Sequence, residues 1–532
     1  MQKYLTAKIN GVGLTNDEII EQILESRGID NLKHFLKPIE DDLVPFDKLE
    51  NLHQAYELID NAIVNNQKFL VLADVDADGC CSNAIITRYL RSCGADVQCV
   101  INQGKKHGAE DFDLSLLTNV DVMIIVDSLN NDPAVYERLL STGVKLVIFD
   151  HHLPDQRLFD AGLKFILVSS ARNYPNKHLS GAGVCFKFAQ YCDYMNLTSF
   201  ADELWVYAAI GIIADMSDMS VPENRYIAYR GLLQFQNPMV KKMIGTYAFD
   251  SQSVSFSIAP LLNAAMRMNE NDKAMNVFLA EDETKIDKLV KDLKKCRERQ
   301  NEVVAEILDD LLAQGEAQVN NKCMFFILNN EVDAEITGLV GNKLLAIYQR
   351  PLFVLRFKDG QYVGSMRSVG TESMLELANS TLICTCQGHE NAAGAFIAED
   401  KFEQFKVAIE EKLKNIEFSI NIEADIELKP SQINENLIKQ LAAINRISGT
   451  GFPPVKVLIR TDDYKVSTFS SKKHLKIVDN VTGILLTKWN CMDWQTLENN
   501  GEIVAVGILS NPFYGRDKYL QLTIDEYIQQ NN

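Results

Sequence analysis

The sequence has no apolar stretch long enough to cross a bilayer, and its N-terminus shows no basic segment followed by an apolar run. A transmembrane helix needs about 20 consecutive apolar residues, and a secretory signal needs that N-terminal pattern. Both absences argue against a membrane protein or a secreted protein. We therefore expect a cytoplasmic protein with no membrane partner.

Closely spaced cysteine pairs are also missing, because the 11 cysteines include no Cys-x-x-Cys pair and are odd in number. A disulfide framework normally contains an even number of cysteines, and structural zinc sites normally contain such pairs. The sequence therefore favours reduced cysteines over a disulfide scaffold or a structural zinc site.

Basic residues are scarce relative to acidic ones: 53 Lys and Arg stand against 72 Asp and Glu, which gives a formal charge of −19. This charge argues against a protein that coats nucleic acid nonspecifically, because the phosphate backbone is also negative. It does not exclude a nuclease with a local basic groove. Part of the acidity can serve as metal ligands, since a bound cation reverses the local charge.

What the 532 residues do contain is a composition typical of globular chains, with 46% apolar and 23% charged residues. The length suggests three or four domains. Short β-branched runs at 69–73, 122–126 and 145–149 are separated by stretches with helical spacing. This alternation predicts an α/β fold with a parallel sheet.

Acidic residues and histidines follow each of these runs, and one more aspartate follows a later apolar stretch: Asp74, Asp76, Asp78, Asp127, Asp150, His151, His152 and Asp215. Ligands collect at the carboxyl ends of parallel strands, so we expect these side chains to meet at one sheet edge. Any one cluster alone could be a solvated turn or a satisfied core histidine. Their recurrence favours a metal site, and carboxylates with imidazole suit two Mn²⁺ or Mg²⁺ ions about 3.5–4 Å apart.

Residues 283–315 carry apolar side chains at helical spacing and predict a long amphipathic helix. Its basic centre, Lys291 to Arg299, is either a solvated face, the commoner case, or the wall of a strand-binding cleft. The sequence leaves both alternatives open.

Strand and helix alternation restarts near residue 323 and continues to about residue 415, which predicts a second α/β domain. Two loops there offer groups suited to a phosphate. "GSMRS" contains Ser365 and Arg367, and "QGHENAAG" contains Gly388 and His389 among small residues that permit close backbone approach. A glycine-rich turn alone is weak support for ligand binding.

Residues 420–532 are rich in short strands and place Trp489, Trp494, Phe513 and Tyr514 near lysines and arginines. This pattern predicts an OB-like β-barrel that binds single strands by backbone attraction and base stacking. The alternative for each aromatic is a place in the core. We expect this segment to supply grip and no chemistry, so that a chain cut near residue 420 still cleaves very short oligonucleotides.

The blocks "DVDADG", "IVDS", "FDHHLPD" and "GIIADMSDM" occur in an order that resembles the DHH phosphoesterases, whose name comes from the Asp-His-His triplet. The later blocks "YPNKHLSGAGVCFKFA", "PLLNAAMRMNE", "GSMRS" and "GHENAAGAF" follow in the order seen in the RecJ family of single-strand-specific DNA exonucleases. The resemblance extends from about residue 50 to the C-terminus.

The predicted fold is α/β with four parts. They are a DHH parallel-sheet domain with an N-terminal extension at 1–225, a helical connector at 226–318, a second α/β DHH-associated domain at 319–418, and an OB-fold-like nucleic-acid-binding domain at 419–532.

Carried over position by position, the resemblance implies metal ligation by Asp76, Asp78, Asp127, His151 and Asp215, with Asp74 close by. His152 would face the scissile phosphate, and Asp150 would orient His151 through its free ring nitrogen. Leu72 stands where small relatives have a metal-binding histidine, and Asp74 is the expected substitute. Two ions bridged by Asp127 or a neighbour would activate an in-line water and stabilise the leaving oxygen.

The resemblance also implies that Arg267, Ser365 and Arg367 hold the 5′ phosphate of the substrate. The chain departs from the family pattern at a few positions: Met266 and Gln387 replace usual glycines, an expected arginine is missing near Gln103, and Lys105, Lys106 or His107 could compensate for it.

The activity implied is 5′ to 3′ hydrolysis of single-stranded DNA to mononucleotides with two Mn²⁺ or Mg²⁺ ions, in DNA repair or recombination. The protein is expected to act as a monomer, with a single-strand-binding protein or a helicase as candidate partners. One alternative is a DHH phosphodiesterase that acts on short RNA or cyclic dinucleotides, which the C-terminal segment opposes. The other is a non-catalytic Cdc45-like nucleic-acid-binding protein, which the intact motifs oppose.

Overall fold

A computed structural model describes residues 2–102, 108–329, 336–370, 372–469, 474–489, 491, 497, 501–514 and 517–530. These residues form two compact units. The first unit comprises residues 31–300 and 444–454, and the second comprises residues 1–30, 301–443 and 455–532. Several residues named from the sequence lie outside the described part: Gln103, Lys105, Lys106, His107, Trp494 and the side chains of Phe513 and Tyr514.

The strands of the described residues are numbered in chain order. They are β1 (Gln2–Asn10), β2 (Lys68–Ala73), β3 (Asp96–Ile101), β4 (Val122–Val126), β5 (Lys145–Asp150), β6 (Ile166–Ser169), β7 (Met324–Leu328), β8 (Leu352–Lys358), β9 (Gln361–Arg367), β10 (Cys384–His389), β11 (Ala392–Ala398), β12 (Ser419–Leu428), β13 (Val457–Thr461), β14 (Tyr464–Phe469), β15 (His474–Asp479), β16 (Leu485–Lys488), β17 (Glu502–Ser510), β18 (Phe513–Tyr514), β19 (Asp517–Lys518) and β20 (Gln521–Gln530).

The α-helices are α1 (Asn16–Ser26), α2 (Leu32–Leu36), α3 (Leu52–Val64), α4 (Ala77–Ser92), α5 (Pro133–Leu140), α6 (Gln156–Asp160), α7 (Gly181–Asn196), α8 (Trp205–Ala214), α9 (Pro222–Leu232), α10 (Pro238–Ile244), α11 (Ser251–Ser253), α12 (Ala259–Arg267), α13 (Asn271–Leu279), α14 (Glu283–Glu316), α15 (Thr337–Tyr348), α16 (Met374–Asn379), α17 (Phe402–Leu413) and α18 (Glu435–Asn445). A π-helical turn, Val254–Ile258, joins α11 to α12. Short 3₁₀ helices occur at Glu40–Asp42, Phe46–Lys48, Leu114–Leu117, Phe200–Glu203, Glu399–Lys401 and Pro430–Gln432.

A five-stranded parallel sheet in the order β3-β2-β4-β5-β6 forms the centre of the first unit. Its strands β2, β4 and β5 are apolar and buried along nearly their whole length. Such strands have helices on both faces, which explains why they read as continuous apolar runs. The predicted parallel α/β domain is therefore confirmed. Ala73 pairs with Val126, and Val126 pairs with Phe149, so the three strands end at the same edge.

The short segment 444–454 packs within this first unit, although it lies far along the chain from the sheet. The Met219 backbone N–H donates to the Thr450 carbonyl at 2.7 Å, and the Ser251 and Ser448 hydroxyls lie 3.1 Å apart. Arg225 donates to the carbonyls of Phe35 and Ile447. The loop that follows α8 therefore depends on a segment from the C-terminal third of the chain.

The second unit contains a five-stranded mixed sheet in the order β10-β11-β9-β8-β7. Strands β7 and β8 are parallel, and the other neighbours are antiparallel. Stacked rings of Phe325 and Phe353, 5.2 Å apart, pack with the Phe405 ring in its core. This sheet and its helices form the second α/β element that the sequence predicts near residues 323–415.

The second sheet of this unit has eight strands in the order β1-β12-β13-β17-β20-β16-β15-β14. The predicted OB-like barrel is not confirmed, because the strand order among the described residues is open and does not close on itself. The N-terminal strand β1 runs parallel to β12, with Lys3 opposite Ile420. The boundaries at 225, 318 and 418 do not anticipate this pairing, and the four-part division stays a prediction.

The predicted long helix is present as α14, Glu283–Glu316, which begins in the first unit and ends in the second. Within the described ranges, no helix is both long enough and apolar enough to span a bilayer.

Candidate active site

Asp76 and Asp78 are placed by the start of α4, directly after β2. Asp76 caps this helix, since its carboxylate accepts a 2.7 Å hydrogen bond from the Gly79 N–H. Asp78, two residues further and in the first turn of the helix, is buried and accepts from the Ser180 hydroxyl at 3.0 Å and the Ala182 N–H at 3.2 Å. Asp76 and Asp78 of "DVDADG" therefore belong to the start of α4, while Asp74 lies between β2 and this helix.

Asp74 and Asp127 occupy the ends of the neighbouring strands β2 and β4. The Asp74 carboxylate accepts from the Ser128 hydroxyl at 3.1 Å. Asp127 is buried, has a left-handed φ of 56°, and donates its backbone N–H to the Phe149 carbonyl at 2.9 Å. This unusual conformation for a non-glycine residue turns the chain sharply at the sheet edge.

His151 lies between two carboxylates from different elements. Its Nε2 is 3.2 Å from Asp127 Oδ1, and its Nδ1 is 3.9 Å from Asp215 Oδ2. Burial lowers the pKa of His151, which keeps its ring neutral and able to offer a lone pair. Asp215 caps the C-terminal end of α8 and accepts from the Ser217 hydroxyl at 3.1 Å.

The role predicted for Asp150 needs correction. Asp150 does not orient His151: its Oδ1 is 2.7 Å from His152 Nδ1, and its Oδ2 accepts from the Leu129 N–H at 2.6 Å. The hydrogen bond to Asp150 raises the pKa of His152 to about 9. Burial alone would raise the pKa of Asp150, but the hydrogen bond and charge of His152 outweigh burial and lower it. His152 is therefore a cation at neutral pH.

Sequence reasoning missed the residues that make room for these carboxylates. Ser180 caps α7, and a Cβ at the next residue, Gly181, would lie 2.5 Å from Asp127 Oδ1. A Cβ at Gly211 in α8 would lie 2.4 Å from Asp78 Oδ1. Serine before two closely spaced glycines in "LSGAG" is a helix-start signal, so the cap of α7 could be predicted from the sequence, whereas the contact with Asp127 could not.

The site fits divalent cations. Three overlapping groups bring ligand atoms within 4.8 Å of one another: Asp74 with Asp76 and Asp127, Asp78 with His151 and Asp215, and Asp127 with His151 and His152. Burial raises the pKa of Asp78, Asp127 and Asp215, and burial together with Asp74 raises that of Asp76 to about 6. The buried Asp78 Oδ2 accepts no hydrogen bond from the described residues. Bound cations would neutralise the repulsion between the carboxylates and would give Asp78 Oδ2 a partner.

The predicted phosphate contacts Ser365 and Arg367 lie on β9 of the second unit. The Ser365 and Thr337 hydroxyls are 2.8 Å apart, and Arg367 Nε donates to Asn342 Oδ1 at 2.7 Å. Burial lowers the pKa of Arg367, although it remains a cation at neutral pH. Thr337 begins α15, so hydroxyls and a guanidinium gather at the N-terminal end of that helix.

The remaining predicted contacts are divided between the units. Gly388 and exposed His389 end β10, with Ala392 lying between His389 and Arg367 across the sheet. Arg267 belongs to the first unit, where it is the last residue of α12 and is half-buried.

Residues 68–212 match the family model described as DHH family, N-terminal domain, so the chain carries a DHH domain. Over most of its length the chain is similar to proteins named as single-strand DNA-specific exonucleases. A putative SPbeta prophage-derived single-strand DNA-specific exonuclease, YorK of Bacillus subtilis, is 27% identical over an alignment of 467 residues that covers 80% of each chain. The single-stranded-DNA-specific exonuclease RecJ of Thermus thermophilus is 26% identical over 500 residues, covering 90% of this chain and 71% of the relative.

The fold agrees with these sequence relationships. The crystal structure of RecJ in complex with Mn²⁺ from Thermus thermophilus matches with a TM-score of 0.78 and 23% identity, covering 100% of this chain and 80% of the other.

Proposed function

We propose that this chain is a metal-dependent exonuclease that hydrolyses single-stranded DNA from a 5′ end to mononucleotides. The observation that carries the proposal is the cluster of buried and partly buried aspartates with His151 at one sheet edge. Its ligand set suits hard divalent cations used in phosphoryl transfer. The relatives named as single-strand DNA-specific exonucleases support the substrate class.

Two Mn²⁺ or Mg²⁺ ions are the proposed cofactors. Asp74, Asp76 and Asp127 would hold one, and Asp78, His151 and Asp215 would hold the other. When bound, such ions supply an activated water and neutralise charge on the phosphate that is attacked. Asp127 and His151 each belong to more than one ligand group, which supports a shared position for them.

His152 is the proposed contact to the scissile phosphate. Its hydrogen bond with Asp150 keeps the imidazole protonated and fixes the ring beside the metal-binding groups. A protonated imidazole donates strongly to a phosphate oxygen and opposes the negative charge that develops there. Asp150 therefore acts through His152 and is proposed as a positioning residue.

The proposed 5′ polarity rests on phosphate-binding groups of the second unit: Ser365, Arg367, Gly388 and His389. Arg267, in the first unit, stays a separate prediction. Asn342 holds the Arg367 guanidinium through its Nε, which fixes a cation that can pair with a phosphate. A terminal phosphate bound in this way would define the end from which hydrolysis begins.

We further propose an OB-type single-strand grip within residues 419–532. Phe469, His474 and Trp489 form a cluster of rings whose centroids are 4.8 to 5.4 Å apart, and Trp489 is 46% exposed. Exposed aromatic rings stack on bases with little sequence preference. The sequence had named Trp489, while Phe469 and His474 join it only in the folded sheet.

The experiment compares single-stranded DNA labelled at the 5′ end with the same strand labelled at the 3′ end, with Mn²⁺ and with EDTA. The 5′ label should appear at once as a mononucleotide, the 3′-labelled strand should shorten progressively, and EDTA should stop both reactions. Asp127→Asn keeps the side-chain shape and should lower the rate at least about 1,000-fold.

Other outcomes assign the protein differently. A ladder that starts at the 3′ end would contradict the polarity. Hydrolysis confined to dinucleotides or short RNA would indicate a DHH phosphodiesterase of that kind. Strand binding with no hydrolysis in Mn²⁺ would indicate a non-catalytic nucleic-acid-binding protein.

A further inference from the structure

Met216 follows the proposed metal ligand Asp215 and has a left-handed backbone, with a φ of 60°. Its N–H donates to the Ile213 carbonyl at 3.2 Å, and the Ser217 N–H donates to the Ile212 carbonyl at 3.1 Å. These two bonds form a Schellman motif that ends α8, in which the left-handed position is usually glycine. An L-residue with a side chain is strained there, so methionine weakens the motif.

Packing of the methionine does not offset this backbone strain, because Met216 is 72% exposed. The residues on either side of it are held in place. The Asp215 carboxylate accepts a hydrogen bond from the Ser217 hydroxyl, and the Met219 N–H donates to the Thr450 carbonyl. Met216 is therefore an exposed residue that directly follows Asp215 of the acidic cluster in the chain.

A second exposed apolar side chain lies in the facing loop. Leu153 directly follows His152 and is 76% exposed. The two loops meet at the cluster, since His151 Nδ1 is 3.9 Å from Asp215 Oδ2. Single exposed apolar residues are ordinary on protein surfaces, but here two of them directly follow residues of one acidic cluster, His152 and Asp215, in two different loops.

We propose that Met216 contacts the sugar and base of the nucleotide whose phosphate lies at the metal cluster. This inference rests on the proposed function. A phosphate held among the carboxylates leaves its sugar and base at the rim, where carboxylates offer no apolar surface to them. The flexible, polarizable thioether packs well on an aromatic ring and accepts any of the four bases.

The test replaces Met216 with glycine. Met216→Gly relieves the backbone strain, so the Tm should rise by about 1–2 °C. The same change removes the proposed contact, so KM for (dT)12 and the Kd for 3′-fluorescein-(dT)12 in Ca²⁺ should rise about tenfold. Met216→Leu keeps an apolar side chain, and KM should stay within about threefold of the wild type.

Leu197 provides the matched control, because it ends α7 with a φ of 53° and a side chain that is 93% exposed. No residue of the acidic cluster adjoins it in sequence. Leu197→Gly should raise the Tm in the same way and leave KM and Kd unchanged.

A more stable Met216→Gly protein with wild-type KM and Kd would overturn the inference and leave the proposed function intact. If the wild-type chain binds the strand and does not hydrolyse it, the proposed function fails while the Kd comparison still decides the role of Met216. If the wild type neither binds nor hydrolyses the strand, both proposals fail.

Discussion

At the scale of single residues, the Asp150 and His152 pair shows how one buried carboxylate sets the charge of the histidine proposed to contact the scissile phosphate. Asp150 is fully buried, yet its pKa is lowered, because His152 and two backbone N–H groups donate to it. In turn the pKa of His152 rises from 6.5 to about 9. The pair therefore places a fixed positive charge beside a site that is otherwise acidic.

This pair predicts a shift in pH dependence. A raised histidine pKa means that the protonated form persists below about pH 9 and is lost above it. Asp150→Asn removes the negative partner, so loss of the protonated form should begin near pH 6.5. We expect kcat/KM of the variant to fall above that pH, while the wild type keeps its activity to about pH 9. Profiles measured with saturating Mn²⁺ check this.

Two controls accompany these profiles. Thermal unfolding should show that Asp150→Asn is folded at each pH. His152→Gln, which has no titrating group, should lose activity at all pH values and show no inflection. An unchanged profile in Asp150→Asn would mean that His152 does not act as the protonated group.

At the scale of elements, Arg225 of α9 holds three separate segments of the first unit together. Its guanidinium donates from Nε to the Phe35 carbonyl at 3.0 Å and from Nη1 to the Ile447 carbonyl at 2.9 Å. The group also lies 3.5 Å from the centroid of the Phe35 ring and 5.2 Å from that of Phe452. A local sequence pattern around residue 225 could not indicate partners this distant.

Replacing Arg225 with methionine keeps the apolar contacts and removes both donors. Two buried carbonyls then lose their partners, which should destabilise the protein by about 2–3 kcal/mol. Urea unfolding of the full chain measures the loss. Arg157→Met is the matched control, since Arg157 pairs with Asp155 on an exposed surface and its loss should leave stability unchanged. Equal free energies of unfolding for Arg225→Met and wild type would show that the two hydrogen bonds of Arg225 do not stabilise the protein.

At the scale of the whole molecule, the C-terminal third contributes to both units. Segment 444–454 packs in the first unit, and strands β12 to β17 and β20 complete the sheet that contains β1. The expectation that a chain cut near residue 420 keeps cleaving very short oligonucleotides must therefore be revised. Such a cut removes the Thr450 carbonyl that holds the loop after Asp215, and it leaves β1 without its neighbour.

A chain that ends at residue 419 should have a lower Tm and should lose hydrolysis of (dT)4 as well as of long strands. Hydrolysis of (dT)4 should be lost because the loop after Asp215 loses its support, in addition to any loss of DNA binding. Full-length Trp489→Ala separates the two effects, because it should weaken degradation of long strands and leave (dT)4 hydrolysis unchanged. Hydrolysis of (dT)4 by the truncated chain at the full-length rate would contradict this account.

The sequence by itself determined the parallel sheet of the first unit, the long helix α14 and the convergence of the predicted metal-binding residues. These follow from local patterns: apolar runs specify β2, β4 and β5, and side chains after parallel strands meet at one edge. Asp74, Asp127 and His151 could therefore be grouped without coordinates. The phosphate contacts and the four-part division remain predictions.

Only the tertiary structure decided features that depend on contacts between distant segments. The pairing of β1 with β12, the support of the Asp215 loop by Thr450, and the partner of Asp150 belong to this group. Local patterns specify which residues are apolar or charged, but a hydrogen-bonding partner depends on where the chain returns in space. The left-handed turn at Met216 is likewise set by the end of α8 against the acidic cluster, because its side chain alone would favour a different backbone.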